Sequence, residues 1–352
     1  MPAEIFGERY EFLPKPDLLT FEEITRLTRM FVGMGAAKVR LTGGEPLVRN
    51  QVETLVGMLA KIEASPHLSR GGTSSPGGRG ESGKSLIPHL SPERDILSRG
   101  ERNTEMKPAG IDLTMTTNGY LLAQKAQALK DAGLHRVTVS LDSLDDAVFR
   151  KMNGRSFGTE RVLAGIAEAE RVGLTPIKIN SVVQRGVNDH TIVDLAKFMK
   201  DRGHILRFIE YMDVGTRNDW KLDQVVTADE IVARIDAAMP LEPIESNYWG
   251  EVALRFRYRD GGGEIGIIAS VTKPFCGDCT RLRLSPEGKM YTCLFAGSGV
   301  DLRGPMRAGA TDSELREIFM GTWRKRDDRY SEERTSLTQP RRKKVEMYHI
   351  GG

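Results

Sequence analysis

Two alternating periodicities constrain this chain more than any other feature. Short apolar runs suited to buried strands fall at 36–41, 111–117, 137–141, 177–183 and 205–212. Between them lie segments at 51–62, 121–132, 160–172 and 191–201 whose apolar residues recur at helical spacing. A further helix precedes the first strand. Thr20 and Glu23 form its capping-box pair, Ile24, Leu27, Phe31 and Met34 form its apolar stripe, and Gly35 stops it. Strand–helix alternation of this kind predicts a parallel sheet covered by helices, because parallel neighbours need a long crossover. The loops that follow the strands carry Gly and polar residues, and a barrel would gather them at one rim where ligands bind.

The alternation fades after Asp213. Thr227 and Glu230 cap a helix running to about Ala238. Residues 252–258 and 264–269, separated by Gly261-Gly262-Gly263, read as a β-hairpin. Thr311 and Glu314 cap a last helix with Leu315, Ile318 and Phe319 on its apolar face. The expected organisation is therefore a partial barrel over 1–64 and 109–213, and a distinct C-terminal region over 214–352.

Residues 65–108 interrupt the pattern. They are rich in Ser, Gly, Pro and Arg, and they repeat themselves: Pro66-His67-Leu68-Ser69 returns as Pro88-His89-Leu90-Ser91. This reads as a disordered surface insertion. It contains Gly78-Arg79-Gly80-Glu81-Ser82-Gly83-Lys84-Ser85, which has the spelling of a phosphate-binding P-loop. That mechanism needs a buried strand before the loop and a helix after it, and neither flank can supply them, so the match is a decoy.

The chain has three cysteines among 352 residues, and all fall in one stretch: Cys276, Cys279 and Cys293. An odd, clustered set argues against a disulfide framework and for a metal centre. The C-x2-C-x13-C spacing suits either a zinc ion, with Asp278 or His349 as fourth ligand, or a three-cysteine [4Fe–4S] cluster with one open iron. Arg281 and Arg283 follow at two-residue spacing, so both guanidiniums point the same way on an extended segment, as a polyphosphate would require. Against 51 Lys and Arg stand 48 Asp and Glu, a formal charge of +3 that gives no sign of bulk nucleic-acid binding. No apolar run is long enough to span a membrane and the first residues show no signal-peptide pattern, so the expected compartment is the cytoplasm.

Several loop motifs then converge: Thr42-Gly43-Gly44-Glu45-Pro46, Thr116-Thr117-Asn118-Gly119, Ser140-Leu141-Asp142, Lys178-Ile179-Asn180, Gly186-Val187-Asn188-Asp189 and Arg207-Phe208-Ile209-Glu210-Tyr211-Met212. With the cysteine spacing and the terminal Gly351-Gly352, this set closely resembles the GTP 3′,8-cyclase family of the radical S-adenosylmethionine superfamily, which opens molybdenum cofactor biosynthesis. The resemblance spans nearly the whole chain apart from the insertion. It implies an α/β fold, an incomplete (β/α) radical-SAM barrel with a C-terminal iron–sulfur region closing its open side. It places Gly44, Ser140 and Met212 against S-adenosylmethionine. Arg40, Thr116, Lys178, Arg207, Arg281, Leu282 and Arg283 are placed around GTP, and Cys276, Cys279 and Cys293 on a [4Fe–4S] cluster whose open iron meets the base. The chemistry so implied is removal of the ribose C3′ hydrogen by a radical derived from S-adenosylmethionine, then closure onto guanine C8. The Gly-Gly tail is implied to reach the active site. The implied partners are an electron donor, the cyclic pyranopterin monophosphate synthase that acts next, and a second copy in a homodimer.

One family feature has no counterpart in this sequence. The family's radical-generating [4Fe–4S] cluster sits on a C-x3-C-x2-C motif, and no cysteine precedes Cys276. That motif, and the first barrel strand, would fall ahead of Met1. The expectation is therefore either a product whose true start lies upstream, or a truncated, inactive relative that binds GTP and a single cluster.

Overall fold

The computed structural model describes residues 14–63, 110–215, 220–334 and 344–351. The insertion at 65–108, with its P-loop-like octapeptide, lies outside the described residues. An eight-stranded sheet organises the molecule: β1 Lys38–Leu41, β2 Asp112–Thr117, β3 Arg136–Ser140, β4 Lys178–Val183, β5 Ile205–Glu210, β6 Leu241–Ile244, β7 Leu254–Tyr258 and β8 Glu264–Ile268, in the order β1-β2-β3-β4-β5-β8-β7-β6. The first five strands and β8 are parallel neighbours, while β7 and β6 return antiparallel. The expected hairpin is present as β7 and β8. Its second strand pairs with β5, so the sheet continues past the point where the helical alternation stops.

Helices α1 Phe21–Gly33, α2 Val52–Ala60, α3 Leu122–Asp131, α4 Asp146–Asn153, α5 Thr159–Arg171, α6 Ile192–Asp201 and α7 Ala228–Ala238 connect or flank the strands. The capping boxes expected at Thr20 and Thr227 both form. Period-two alternation gives the sheet two unlike faces. Leu113, Met115, Val137, Val139, Ile179, Leu206, Phe208, Ile265 and Ile267 are buried in the main core with the helices. The intervening residues (Lys38, Arg40, Thr114, Thr116, Arg136, Thr138, Lys178, Asn180 and Arg207) occupy the other face.

That face is concave. β1 and β6 lie at opposite edges of the sheet, yet the ring of Tyr248, just beyond β6, sits 5.8 Å from Nζ of Lys38 on β1. The sheet is open in its hydrogen bonding but curls until its two ends face each other.

The rest of the chain builds a second core on the outer side of α1. Strands β9 Arg283–Leu284, β10 Lys289–Tyr291 and β11 Val300–Asp301 form a small antiparallel sheet, followed by helices α8 Arg303–Arg307 and α9 Asp312–Arg324. Leu19, Leu27 and Phe31 pack there against Met290, Leu302, Leu315 and Phe319. The capping box expected at Thr311 starts α9. This docking holds the cysteine segment in front of the concave face. Among the described residues, no helix is long and apolar enough to cross a membrane.

Candidate active site

The register of the sheet assembles the site from residues far apart in sequence. Arg40 lies beside Thr114, and Thr114 beside Arg136. Thr116, Thr138 and Lys178 form the next row, and Ser140, Asn180, Arg207 and Gly266 the row nearest the rim. Five cations from four strands thus share one surface. Asp112 is the carboxylate among them, pairing with Lys38 at 3.3 Å and with Arg136.

This concentration of charge disfavours the charged form of its own members. Burial pushes Lys178 down to about 8, helped by Arg207, Lys38 and Arg136 nearby. Burial, then Arg40, lowers Arg207 to about 10. Arg40 is accessible to water yet enclosed by protein, because it lines a cleft, and desolvation lowers it too. Arg207 is aimed by Asn180, which accepts from its Nε at 3.0 Å, and by Thr138 Oγ1 at 3.4 Å. The Thr116 hydroxyl is buried in the row of Thr138 and Lys178 without a hydrogen-bond partner. A cleft crowded with under-neutralised cations and an orphaned hydroxyl is built for a multivalent anion.

Across the cleft stands the cysteine segment. Arg281 and Arg283 are close enough to repel each other, and Leu282 between them packs on the second core. Arg281 and Arg40 are close enough to repel, so the two halves of the cation set meet. Nε of Arg281 donates to Sγ of Cys279 at 3.3 Å, and Nη1 of Arg326 to the Cys279 carbonyl. Burial would raise the Cys279 thiol, but the charge and hydrogen bonds of Arg281, with Arg326, together bring it down to about 7. Cys293 is held above the usual thiol range by burial, and its sulfur accepts the Phe295 N–H at 3.4 Å. Cys293 interacts with Cys276, and Arg283 with both Cys279 and Cys293, so the three sulfurs share one neighbourhood. Among the described residues, no three His, Cys, Asp or Glu side chains close around a single ion. Thiolates on a cubane bind separate irons and need not converge on one point. His349, considered above as a zinc ligand, is instead paired with Glu287.

The rim is fixed by buried carboxylates. Glu45 accepts from Thr117 Oγ1 at 2.8 Å, Leu47 N at 3.0 Å and Asn118 N at 2.7 Å, tying the Gly-Gly turn to the end of β2. Burial still raises its pKa. Gly43 has φ +132°, a conformation that favours glycine, and its neighbour Gly44 is exposed on the turn. Ser140 ends β3. Asp142, two residues on, accepts Val182 N at 2.8 Å, and burial lifts it to about 6. Met212 follows β5, its sulfur 3.7 Å from Ser270 Oγ. Glu210 is fully buried and accepts the N–H groups of Ala228, Val271 and Thr272. Gly351 completes the enclosure: Nε of Arg283 donates to its carbonyl at 3.2 Å. A Cβ on Gly351 would fall 2.3 Å from Thr42 Cγ2, so the tail lies against the Gly-Gly turn.

The structure thus brings Arg40, Thr116, Lys178, Arg207, Arg281 and Arg283 into one cleft beside the cysteines, with Gly44, Ser140 and Met212 on strand ends or the loops that follow them. Sequence reasoning missed Lys38, Arg136 and Tyr248. For Lys38 the signal was available, since it precedes Arg40 by two on the same strand. Tyr248 sits in an irregular loop, and only the curl of the sheet brings it to β1. There Glu251 lies near Lys178 and Arg207.

The Radical SAM superfamily matches residues 5–199, and Molybdenum Cofactor Synthesis C matches residues 204–332. The chain is 45% identical to a GTP 3′,8-cyclase of Acidothermus cellulolyticus, with all of this chain and 91% of the relative aligned. It is 39% identical to the GTP 3′,8-cyclase of Staphylococcus aureus strain MRSA252, again over all of this chain and 91% of the relative. Among solved structures, Streptococcus suis SuiB superposes with a TM-score of 0.50 at 13% identity, covering 91% of this chain and 62% of that one, a likeness of fold alone.

Proposed function

The chain belongs to the GTP 3′,8-cyclase family of radical S-adenosylmethionine proteins, and from that premise we infer that it is a lyase converting GTP to (8S)-3′,8-cyclo-7,8-dihydroguanosine 5′-triphosphate in molybdenum cofactor biosynthesis. The observation that carries the reading is the cation-lined cleft, which faces three cysteines across a gap closed by the C-terminal tail.

Each part of the cleft has a task. Lys38, Arg40, Lys178, Arg207, Arg281 and Arg283 bind the triphosphate and neutralise its charge. The orphaned Thr116 hydroxyl is available to hydrogen-bond the nucleotide. Gly44, Ser140 and Met212 line the rim for S-adenosylmethionine. Cys276, Cys279 and Cys293 fit an iron–sulfur cluster: three sulfurs in one neighbourhood, with Arg281 favouring the thiolate at Cys279. Bound S-adenosylmethionine would supply hydrogen abstraction from the ribose once cleaved by an electron from a second iron–sulfur cluster, for which this sequence has no further cysteines, and a cluster on Cys276, Cys279 and Cys293 would supply an open iron for the base. The protein holds ribose C3′ and guanine C8 together and excludes water, an effect of position rather than of acid–base chemistry.

Two measurements test the anion site. Arg281→Ala should weaken GTP binding by about 1.5–3 kcal/mol, the range for a charge-assisted hydrogen bond, in an equilibrium titration. An unchanged affinity would remove Arg281 from the site. The pH dependence has a definite sign. Lys178 is half neutral near pH 8 in the free protein, and a bound triphosphate favours its charged form. Binding therefore takes up a proton, and GTP affinity should fall as pH rises through about 8. Lys178→Met should bind more weakly at pH 7 and lose much of that slope. A slope that survives the substitution would contradict the assignment.

A further inference from the structure

The tail reaches the cleft because something holds its base. Lys344 is buried, and its Nζ donates to Asp213 Oδ2 at 2.6 Å and to the Asp213 carbonyl at 2.8 Å. The other oxygen of Asp213 accepts from Nε of Arg334 at 2.7 Å, and the Tyr330 hydroxyl donates to the carboxylate as well. Arg334 is itself fixed by Ser270, whose carbonyl accepts from Nη1 at 2.8 Å. The rings of Phe295 and Tyr330 stack at 4.6 Å, and both approach the Lys344 ammonium, at 5.4 and 4.3 Å. Next along the chain, Val345 N–H donates to the Ala296 carbonyl at 3.0 Å.

Exposed ion pairs contribute little, but this one is not exposed. The side chains of Asp213, Arg334 and Lys344 are 14%, 5% and 7% accessible. Burial would raise the Asp213 carboxyl, yet Lys344, Tyr330 and Arg334 hold it below its ordinary value. Asp213 directly follows Met212 at the end of β5, the strand that carries Arg207. From Lys344 the chain runs to a closing turn, Met347–Ile350, and His349 meets Glu287. Gly351 then settles between Arg283 and Thr42.

We propose that Asp213 and Lys344 form a buried latch that seats residues 344–351 as a strap over the cleft, making Asp213 a positioning residue for Gly351. Asp213 and Lys344 act through the strap: they anchor the chain at residue 344, and the short run from there leads to Gly351. The effect on turnover rests on the cyclase reading, whereas the seating of the strap does not.

Hydrogen exchange read by mass spectrometry over 344–351, in full-length protein without nucleotide, tests the latch. Lys344→Met leaves Asp213 paired with Arg334 and Tyr330, so the fold is kept. Exchange of the strap should quicken by about tenfold or more, as expected on losing a charged hydrogen bond. Asp213→Asn should move it in the same direction. In the nucleotide reaction, Lys344→Met should lower kcat while KM for GTP stays within about threefold, because Arg283 alone among the cations named for the triphosphate donates to the strap. Exchange unchanged from wild type in Lys344→Met would overturn the latch. A wild-type protein that binds no GTP would contradict the cyclase reading and leave the exchange comparison standing.

Discussion

Cys276→Ser should lose the iron of the C-terminal site and weaken GTP binding more than tenfold, a cost above about 1.4 kcal/mol. Serine is a poor replacement for a thiolate toward iron, and a cluster held by three protein sulfurs tolerates the loss of one badly. Base anchor and cluster share the same segment. Cys279 is within reach of Arg281, and Arg283 lies near Cys279 and Cys293, so disturbing the cluster also frees two of the triphosphate cations. Iron and sulfide analysis of anaerobically purified protein, paired with a GTP titration, reads both effects. Loss of iron with GTP affinity unchanged would separate the nucleotide from the cysteines and break the proposed site in two.

The second large effect is on stability. Glu210→Leu should destabilise the protein by about 1–3 kcal/mol, because three N–H groups and a hydroxyl lose a fully buried acceptor together. Those donors belong to Ala228 at the start of α7 and to Val271 and Thr272 just before the cysteine segment. A single carboxylate at the end of β5 therefore joins the barrel strands to the segment that carries Cys276. Denaturant unfolding measures this as a lower midpoint with little change in slope. A shift below about 0.5 kcal/mol would show that these groups find other partners, including water.

Much of the architecture is legible because its signals are local. Thr227 and Glu230 satisfy each other's backbone, and α7 spans Ala228–Ala238 as the sequence suggests. The parallel strands announce themselves by length and by β-branched content, since burial on the helical face selects for both. Helix α4 is harder to read: it has eight residues and buries one large side chain, Phe149, so its amphipathic stripe barely repeats. Strands β9 to β11 hold two or three residues each, too few to show any alternation. Their existence depends on α1, which supplies the apolar surface they cover.

The site divides along the same line. Arg281 and Arg283 could be read as a pair from their spacing alone. Arg136 looks like an ordinary solvated cation in sequence. It gains meaning only when register sets Arg40 opposite Thr114, and Thr114 opposite Arg136, on a concave face. Asp213 and Lys344 lie 131 residues apart, and no periodicity connects them.

The central claim is that one cleft, basic on the strand side and sulfur-bearing on the other, holds the guanine nucleotide. A GTP titration of anaerobic, iron-replete protein, repeated with Arg40→Ala from the strand side and Cys293→Ser from the facing segment, examines it directly. Both substitutions should weaken binding at a single saturable site, and the double variant should lose less than the sum of the two because they act on one ligand. Wild-type affinity in either single variant would contradict the account.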